Sequence, residues 1–265
     1  MTEGIPRPLR EASAERLAKI DVLLTDMDDT LTHQGRLPPE TFAAMAALRQ
    51  AGIRVIPVTA APAGWCDQMA RMWPVDAVIA ENGGLSFHVG EGQREPDMVF
   101  WHDTAGQASL PEKLQTVAQE IRLALPWAEL AADQPFRLTS LAFRIPEAQE
   151  QLAALIALLK TSGCSTTINN LWVLAWFGGY TKLEASCRLL AEHFGLDFDS
   201  QKDHLIYSGD SLNDEPMFAA LENNVGVSTV VEFLPRMRHA PTWITDAPGG
   251  YGFAELVQAL LAARR

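Results

Sequence analysis

Apolar residues in this chain come in short runs that end in polar or glycine-rich stretches. Val22-Leu23-Leu24, the largely apolar residues 53–58 and Ala77-Val78-Ile79-Ala80 are each of strand length. Strands that are apolar on both faces are buried on both faces, as in a parallel sheet covered by helices. Between the first two, Pro38-Pro39-Glu40 opens a helical segment that runs to about residue 50 and stops at Gly52. Proline in the first turn and glycine past the last are the expected punctuation. A further helix is expected around 65–72. Alternation of this kind predicts a parallel sheet with helices on both faces.

The pattern changes between residues 85 and 177. Residues 85–89 and 98–102 read as a hairpin around Gly90-Glu91-Gly92, 111–125 as a helix and 141–145 as a strand. Leu152, Leu155, Ile156 and Leu159 follow the i, i+3, i+4, i+7 spacing of an amphipathic helix. Residues 166–168 and 171–176 read as two more strands. The prediction is a compact α+β insert over 85–177, set into an α/β core of 1–84 and 178–265. The core resumes with a helix over 182–194, a strand at 205–207, a short helix from 215 and short strands at 225–227 and 243–244. Residues 1 to about 19 read as a tail with a short helix at 11–19.

A net charge of −12 over 265 residues argues against a nucleic-acid or anionic-membrane binder. The three cysteines, Cys66, Cys164 and Cys187, form no disulfide framework or zinc motif and suit a reducing compartment. Residues 1–10 lack an apolar signal core, and no run approaches the roughly 20 apolar residues of a membrane span. The expectation is a soluble, cytoplasmic protein, a monomer or weak homodimer.

The candidate chemistry sits at strand ends. Asp26-Met27-Asp28-Asp29-Thr30 follows the first apolar run directly. Two unit charges ~4 Å apart repel by about 4 kcal/mol at an effective dielectric near 20, so Asp26 and Asp28 need a reason to sit together. A divalent cation supplies one, and all-oxygen ligands favour a hard ion such as Mg2+. A second acidic cluster, Gly209-Asp210-Ser211-Leu212-Asn213-Asp214, follows the strand at 205–207. Open α/β sheets bind ligands beyond the carboxyl ends of their strands. Thr59, after the second strand, and Lys182, after Phe177-Gly178-Gly179-Tyr180, add a hydroxyl and an ammonium. This inventory suits a transferring phosphoryl group.

Taken in order, Asp26-Met27-Asp28-Asp29-Thr30, Thr59, Lys182 and Gly209-Asp210-Ser211-Leu212-Asn213-Asp214 resemble the four motifs of the haloacid dehalogenase (HAD) superfamily of phosphohydrolases. The long gap from Thr59 to Lys182, with Glu81-Asn82-Gly83-Gly84 closing the third strand, is similar to subfamily IIB, whose members carry a C2-type cap. That subgroup includes sucrose-phosphate phosphatases, mannosyl-3-phosphoglycerate phosphatases and eukaryotic phosphomannomutases. The resemblance implies a Rossmann-like core with an inserted α+β cap that opens and closes. It implies Asp26 as nucleophile and metal ligand, and Asp28 as general acid and base whose backbone carbonyl also ligates the metal. Asp210 is implied as a further ligand, and Asp214 as a ligand or as the residue that orients Lys182. Lys182 offsets negative charge, Thr59 and Asn213 bind the substrate phosphate, and Thr30 orients the loop. The implied function is a Mg2+-dependent phosphatase acting through an aspartyl-phosphate on a small phosphorylated metabolite, a sugar phosphate or phosphoglycerate-type compound. A phosphomutase of the same fold and a non-catalytic phosphometabolite-binding protein are the alternatives.

One departure stands out. The subgroup continues its second motif as Thr-Gly-Arg, and this chain has Thr59-Ala60-Ala61. A bidentate anion contact is thereby lost; either Arg36, Arg137 or Arg144 replaces it, or the protein has a different or weakened substrate preference. The six histidines have no metal-ligand spacing and read as surface or packing residues. Trp101, Trp172 and Trp176 are candidates for stacking on a sugar, and Cys66 reads as a small buried hydrophobe.

Overall fold

Both faces of one parallel sheet are covered, as the apolar runs require. The computed structural model describes residues 5–90 and 92–265, so Met1–Gly4 and Glu91, the middle residue of the expected turn, lie outside the described residues. In chain order the elements are β1 (Arg7–Pro8), α1 (Ala14–Ala18), β2 (Val22–Thr25), α2 (Pro39–Gln50), β3 (Arg54–Pro57), α3 (Ala63–Met72), β4 (Ala77–Ala80), β5 (Leu85–His88) and β6 (Asp97–Phe100). The insert contributes α4 (Thr104–Ala124), β7 (Ser140–Arg144), α5 (Gln149–Thr161), β8 (Ser165–Ile168) and β9 (Trp172–Trp176). Then follow α6 (Lys182–Phe194), β10 (Leu205–Gly209), α7 (Glu215–Ala220), β11 (Asn224–Gly226), β12 (Trp243–Ile244) and α8 (Gly249–Ala263).

The main sheet runs β1-β12-β11-β10-β2-β3, all parallel. Side chains alternate across a strand, and here the alternation divides the core. Leu23, Val55, Ile206 and Val225 face one side, where Met45 and Leu48 of α2 and Phe253 and Leu256 of α8 cover them. Val22, Leu24, Ile56 and Tyr207 face the other, against Leu189 and Leu190 of α6 and Met217 and Phe218 of α7. Each such fully buried aliphatic side chain stabilises the fold by roughly 1.5–3 kcal/mol.

The hairpin expected inside the insert instead forms a three-stranded sheet with β4 that abuts the edge of the core sheet. Hydrogen bonds from Asp76 N to Val55 O and from Thr59 N to Ile79 O, both 2.9 Å, carry pairing from β3 to β4. Strands β5 and β6 then add antiparallel to β4. Leu85 and Phe87 join the same hydrophobic cluster as Leu23. Periodicity identifies a hairpin; which sheet edge it extends depends on partners far along the chain. The expected tail is also docked. Arg7–Pro8 pairs with β12, and Leu9 and Leu17 are buried in the core.

The separate sheet of the insert has the antiparallel order β7-β9-β8, and α4 and α5 pack on it through Leu114, Val117, Ile121, Leu155 and Leu159. Helix α4 starts at Thr104 rather than at Pro111, because the Asp103 side chain accepts the Gly106 N–H at 2.8 Å and caps it. Pro111 sits inside the helix and forgoes one backbone hydrogen bond. Among the described residues, no helix is long and apolar enough to cross a membrane.

Candidate active site

Neighbouring strands β2 and β10 run parallel with Thr25 opposite Ser208, so the residues that follow them emerge at one edge. The Asp26 N–H donates to Ser208 O at 2.8 Å. Asp26, Asp210 and Asp214 each bring a carboxylate oxygen within 4.8 Å of the others, and all three are buried. Lys182, the first residue of α6, is buried among them. Its Nζ donates to Asp26 Oδ1 and Asp214 Oδ1, both at 2.7 Å.

Asp214 has little acceptor capacity left. Tyr207 Oη also donates to Oδ1, at 2.5 Å, and the N–H groups of Asp210 and Ser211 donate to Oδ2 at 2.9 and 3.0 Å. Asp210 accepts from Thr30 Oγ1 at 3.0 Å and, across the boundary with the insert, from Asn170 Nδ2 at 2.9 Å. The Thr30 hydroxyl, expected to orient its own loop, bonds Asp210 instead.

Burial pushes the Asp26 carboxyl up to about 7, and Asp214 pushes the same way while Lys182 opposes them. Burial, with Asp26 and Asp214 beside it, holds Asp210 well above the ordinary carboxylate range. Burial alone would depress the Lys182 ammonium, but Asp214 and Asp26 outweigh it and raise its pKa above the lysine value. Three buried carboxylates thus face one ammonium. That excess of negative charge and the all-oxygen donor set fit a hard divalent cation such as Mg2+.

The Asp28 carboxylate stands outside this triad and lines a cavity of ≈ 270 Å³. Burial, then the charge of Asp29, raises it to about 6, with Lys182 and Arg137 acting the other way. Thr59, at the end of β3, is fully buried; its Oγ1 accepts the Ala61 N–H at 3.0 Å and keeps its own proton free to donate. Asn213 Oδ1 accepts from Ser211 Oγ at 2.6 Å, which leaves its amide N–H groups free of that bond.

No family model matches the chain, and no curated protein matches it in sequence. Solved structures do match in shape. A Thermoplasma acidophilum protein aligns with a TM-score of 0.70 at 16% identity, over 91% of this chain and 98% of its own. A HAD/COF-like hydrolase from Plasmodium vivax aligns at 0.68 and 14%, over 94% and 99%. The sucrose-phosphatase of Synechocystis, solved with sucrose and phosphate, aligns at 0.64 and 14%, over 90% and 97%. This chain has the haloacid dehalogenase fold.

Within the HAD fold, the residue that meets the altered second motif is Arg137. Arg36 and Arg144 are exposed, and Arg144 pairs with Glu129 at 3.3 Å. The buried Arg137 guanidinium reaches from the insert to donate to Ala60 O at 2.9 Å, and its Nη2 pairs with Asp133 at 2.9 Å. Of the three tryptophans considered for stacking, only Trp172 lines the Asp28 cavity. Trp176 is buried with its Nε1 on Tyr180 O, and Trp101 lies under Arg188. Cys66 is buried, and burial holds its thiol well above the ordinary range, so it stays protonated. His88 and His193 stack on each other at 3.7 Å and face a different cavity from the acidic site.

Three residues at this HAD site were not singled out from sequence. Glu81 is fully buried and binds the insert to the start of α3, receiving the N–H groups of Ala63 (3.0 Å), Leu138 (2.9 Å) and Thr139 (2.9 Å). The hydroxyls of Thr139 and Ser140 add bonds of 2.9 and 2.6 Å. Glu81 and Asn82 hold left-handed backbone, φ +50° and +59°, which non-glycine residues adopt only under constraint. The polar run Glu81-Asn82-Gly83-Gly84 was the available signal. Asn170 and Tyr207 carry no comparable mark, since only tertiary structure brings them to the aspartates.

Proposed function

We propose that this protein is a Mg2+-dependent phosphoric monoester hydrolase acting on small phosphorylated metabolites. The observation that carries this reading is a carboxylate at a strand end, Asp26, held by a buried lysine at 2.7 Å inside a group of three aspartates. The Asp26 carboxylate attacks phosphorus, the bond to the leaving oxygen breaks, and Asp28 delivers its proton to that oxygen. An aspartyl-phosphate remains. The Asp28 carboxylate then takes a proton from water, the water oxygen attacks phosphorus, and the Asp26–phosphate bond breaks to release inorganic phosphate and restore both residues. An Asp28 pKa raised to about 6 leaves both protonation states accessible near neutrality. A covalent route divides one difficult step into two easier ones.

Asp26, Asp210 and the Asp28 backbone carbonyl would hold Mg2+, which when bound supplies charge neutralisation at a phosphoryl oxygen. Asp214, with four hydrogen bonds already accepted, serves mainly to hold Lys182 and the backbone of Asp210. Lys182 neutralises charge on Asp26 and the phosphoryl group, and the Thr59 hydroxyl and Asn213 amide bind phosphoryl oxygens. The sucrose-phosphatase in the same fold, which holds sucrose and phosphate, supports a small phosphate ester as the substrate. The test is inorganic phosphate release from a panel of small phosphate esters with and without Mg2+, beside Asp26→Asn. Turnover that survives chelation, or survives Asp26→Asn, would refute the reading.

A further inference from the structure

The cavity beside Asp28 is lined in a way that suits neither a sugar nor a glycerate. Its walls come from the loop after β3, the start of α3 and two segments of the insert. Trp65, Phe136, Leu171 and Trp172 line it. Trp65 is 47% exposed, Phe136 54% and Leu171 45%. Scattered exposed apolar side chains need no explanation, but several gathered at one concavity mark a binding surface. Ala60 and Ala61 add only methyl groups where a longer side chain would bring polarity.

The polar lining beyond Asp28 is almost fully occupied. Asp133 and Arg137 bond each other twice, Nε to Oδ1 at 3.3 Å and Nη2 to Oδ2 at 2.9 Å. Arg137 Nη1 is held by Ala60 O at 2.9 Å and approaches Ser140 Oγ at 3.4 Å. Of the guanidinium's five N–H groups, only one then remains. Asn169 Oδ1 accepts from the N–H groups of Leu171 and Trp172, at 3.0 and 2.8 Å, which leaves its amide nitrogen. Among the described residues, no other cation lines the cavity. A carboxylate or second phosphate on the leaving group would face Asp28 and Asp133 without a free counter-charge. A polyol would bury several hydroxyls against aromatic rings with few partners, and buried polar groups without partners are costly.

We infer that the phosphate ester taken here has an uncharged, flat and largely apolar leaving group, an aryl or arylalkyl alcohol, with Trp65, Phe136 and Trp172 as specificity-determining contacts. The inference names the substrate class of the hydrolase proposed above and rests on that reading. Size agrees, because a cavity of roughly 150 Å³ holds a benzene ring. The ≈ 270 Å³ beside Asp28 accepts a substituted ring and is small for a disaccharide.

The test compares kcat/KM of the full chain with Mg2+ for benzyl phosphate, glucose 6-phosphate and 3-phosphoglycerate, all esters of alkyl alcohols. Acetyl phosphate serves as the substrate that needs no leaving-group pocket. Benzyl phosphate is expected to exceed the sugar and glycerate esters tenfold or more. Trp65→Ser, which removes a half-exposed side chain, is expected to cut the benzyl-to-acetyl ratio several-fold. A sugar or glycerate ester equal to or better than benzyl phosphate overturns the inference and leaves the hydrolase standing. Silence with all three esters and with acetyl phosphate defeats the hydrolase reading, and binding then decides the pocket. In Asp26→Asn, benzylphosphonate should quench tryptophan fluorescence with a Kd at least tenfold below that of methylphosphonate. Equal affinities would overturn the inference.

Discussion

Two buried acidic regions lie a few residues from the same loops and are built in opposite ways. Glu81 is surrounded by five donors from four residues, and both its oxygens are filled by the protein. Asp26 receives one side-chain hydrogen bond, from Lys182, and faces two more carboxylates. The first arrangement stabilises a carboxylate where it stands. The second leaves acceptor capacity and negative charge uncompensated, which is the state a cation and an electrophilic phosphorus can relieve. The contrast separates a carboxylate that the protein itself satisfies from one left open to a ligand.

The comparison is most sharply tested at the two carboxylates themselves. Asp26→Asn should lower phosphate release by at least about 10^4-fold, because losing the nucleophile removes the covalent route. The same change should leave the metal-free protein as stable or more so in urea at pH 7, since it removes a repelling charge. Glu81→Ala should do the reverse and cost about 3–5 kcal/mol of folding stability in urea. It strands donors on two segments at once, and a neutral result would break the distinction.

Titration gives the next largest effect. Asp26, raised to about 7, and Asp28, raised to about 6, hold protons in the folded chain that the unfolded chain releases near pH 4. Folding therefore binds protons over that window, and metal-free stability should fall by several kcal/mol as pH rises from about 4 to about 7. Mg2+ at 100 times its Kd should return about 2.7 kcal/mol at pH 7, read as a rise in Tm. Asp210→Asn should abolish most of that return. The smallest effect is at Asn170, whose bond favours ionised Asp210. Asn170→Ala should raise the Asp210 pKa further and weaken Mg2+ binding by roughly fivefold, about 1 kcal/mol. Titration calorimetry should find the deficit shrink as pH rises and Asp210 becomes more fully ionised in both proteins.

The sequence made the chemistry legible where it is local to a strand end. Asp26 and Asp210 each come within three residues of an apolar run, and parallel neighbours carry both to one edge, so two motifs 184 residues apart, counting from 26 to 210, could be joined on paper. Glu81 was visible as part of a polar run, yet its role depends on Leu138 and Ser140, 57 and 59 residues away on the insert. The same limit hid the docking of β5 and β6 on β4 and of Arg7–Pro8 on β12, because an isolated hairpin or short edge strand does not encode its partner. Arg137 was one of three arginines considered at the second motif; burial and the Ala60 carbonyl distinguish it, and neither is written in composition or spacing.

Glu81 also has a mechanical consequence. The insert joins the core through two covalent connections, before α4 and after β9, and Glu81 fastens it at a third point. Tearing that fastening free would break four hydrogen bonds together, from Leu138, Thr139 and Ser140, whereas Asn170 meets Asp210 and Asp29 through only two, at 2.9 and 3.3 Å. Were the insert to swing, the side held by Glu81 and by Arg137 on Ala60 O would part less readily than the side held by Asn170. In a door's terms, one side would be the hinge pin and the other the latch, and the latch rests on Asp210, one of the three clustered carboxylates.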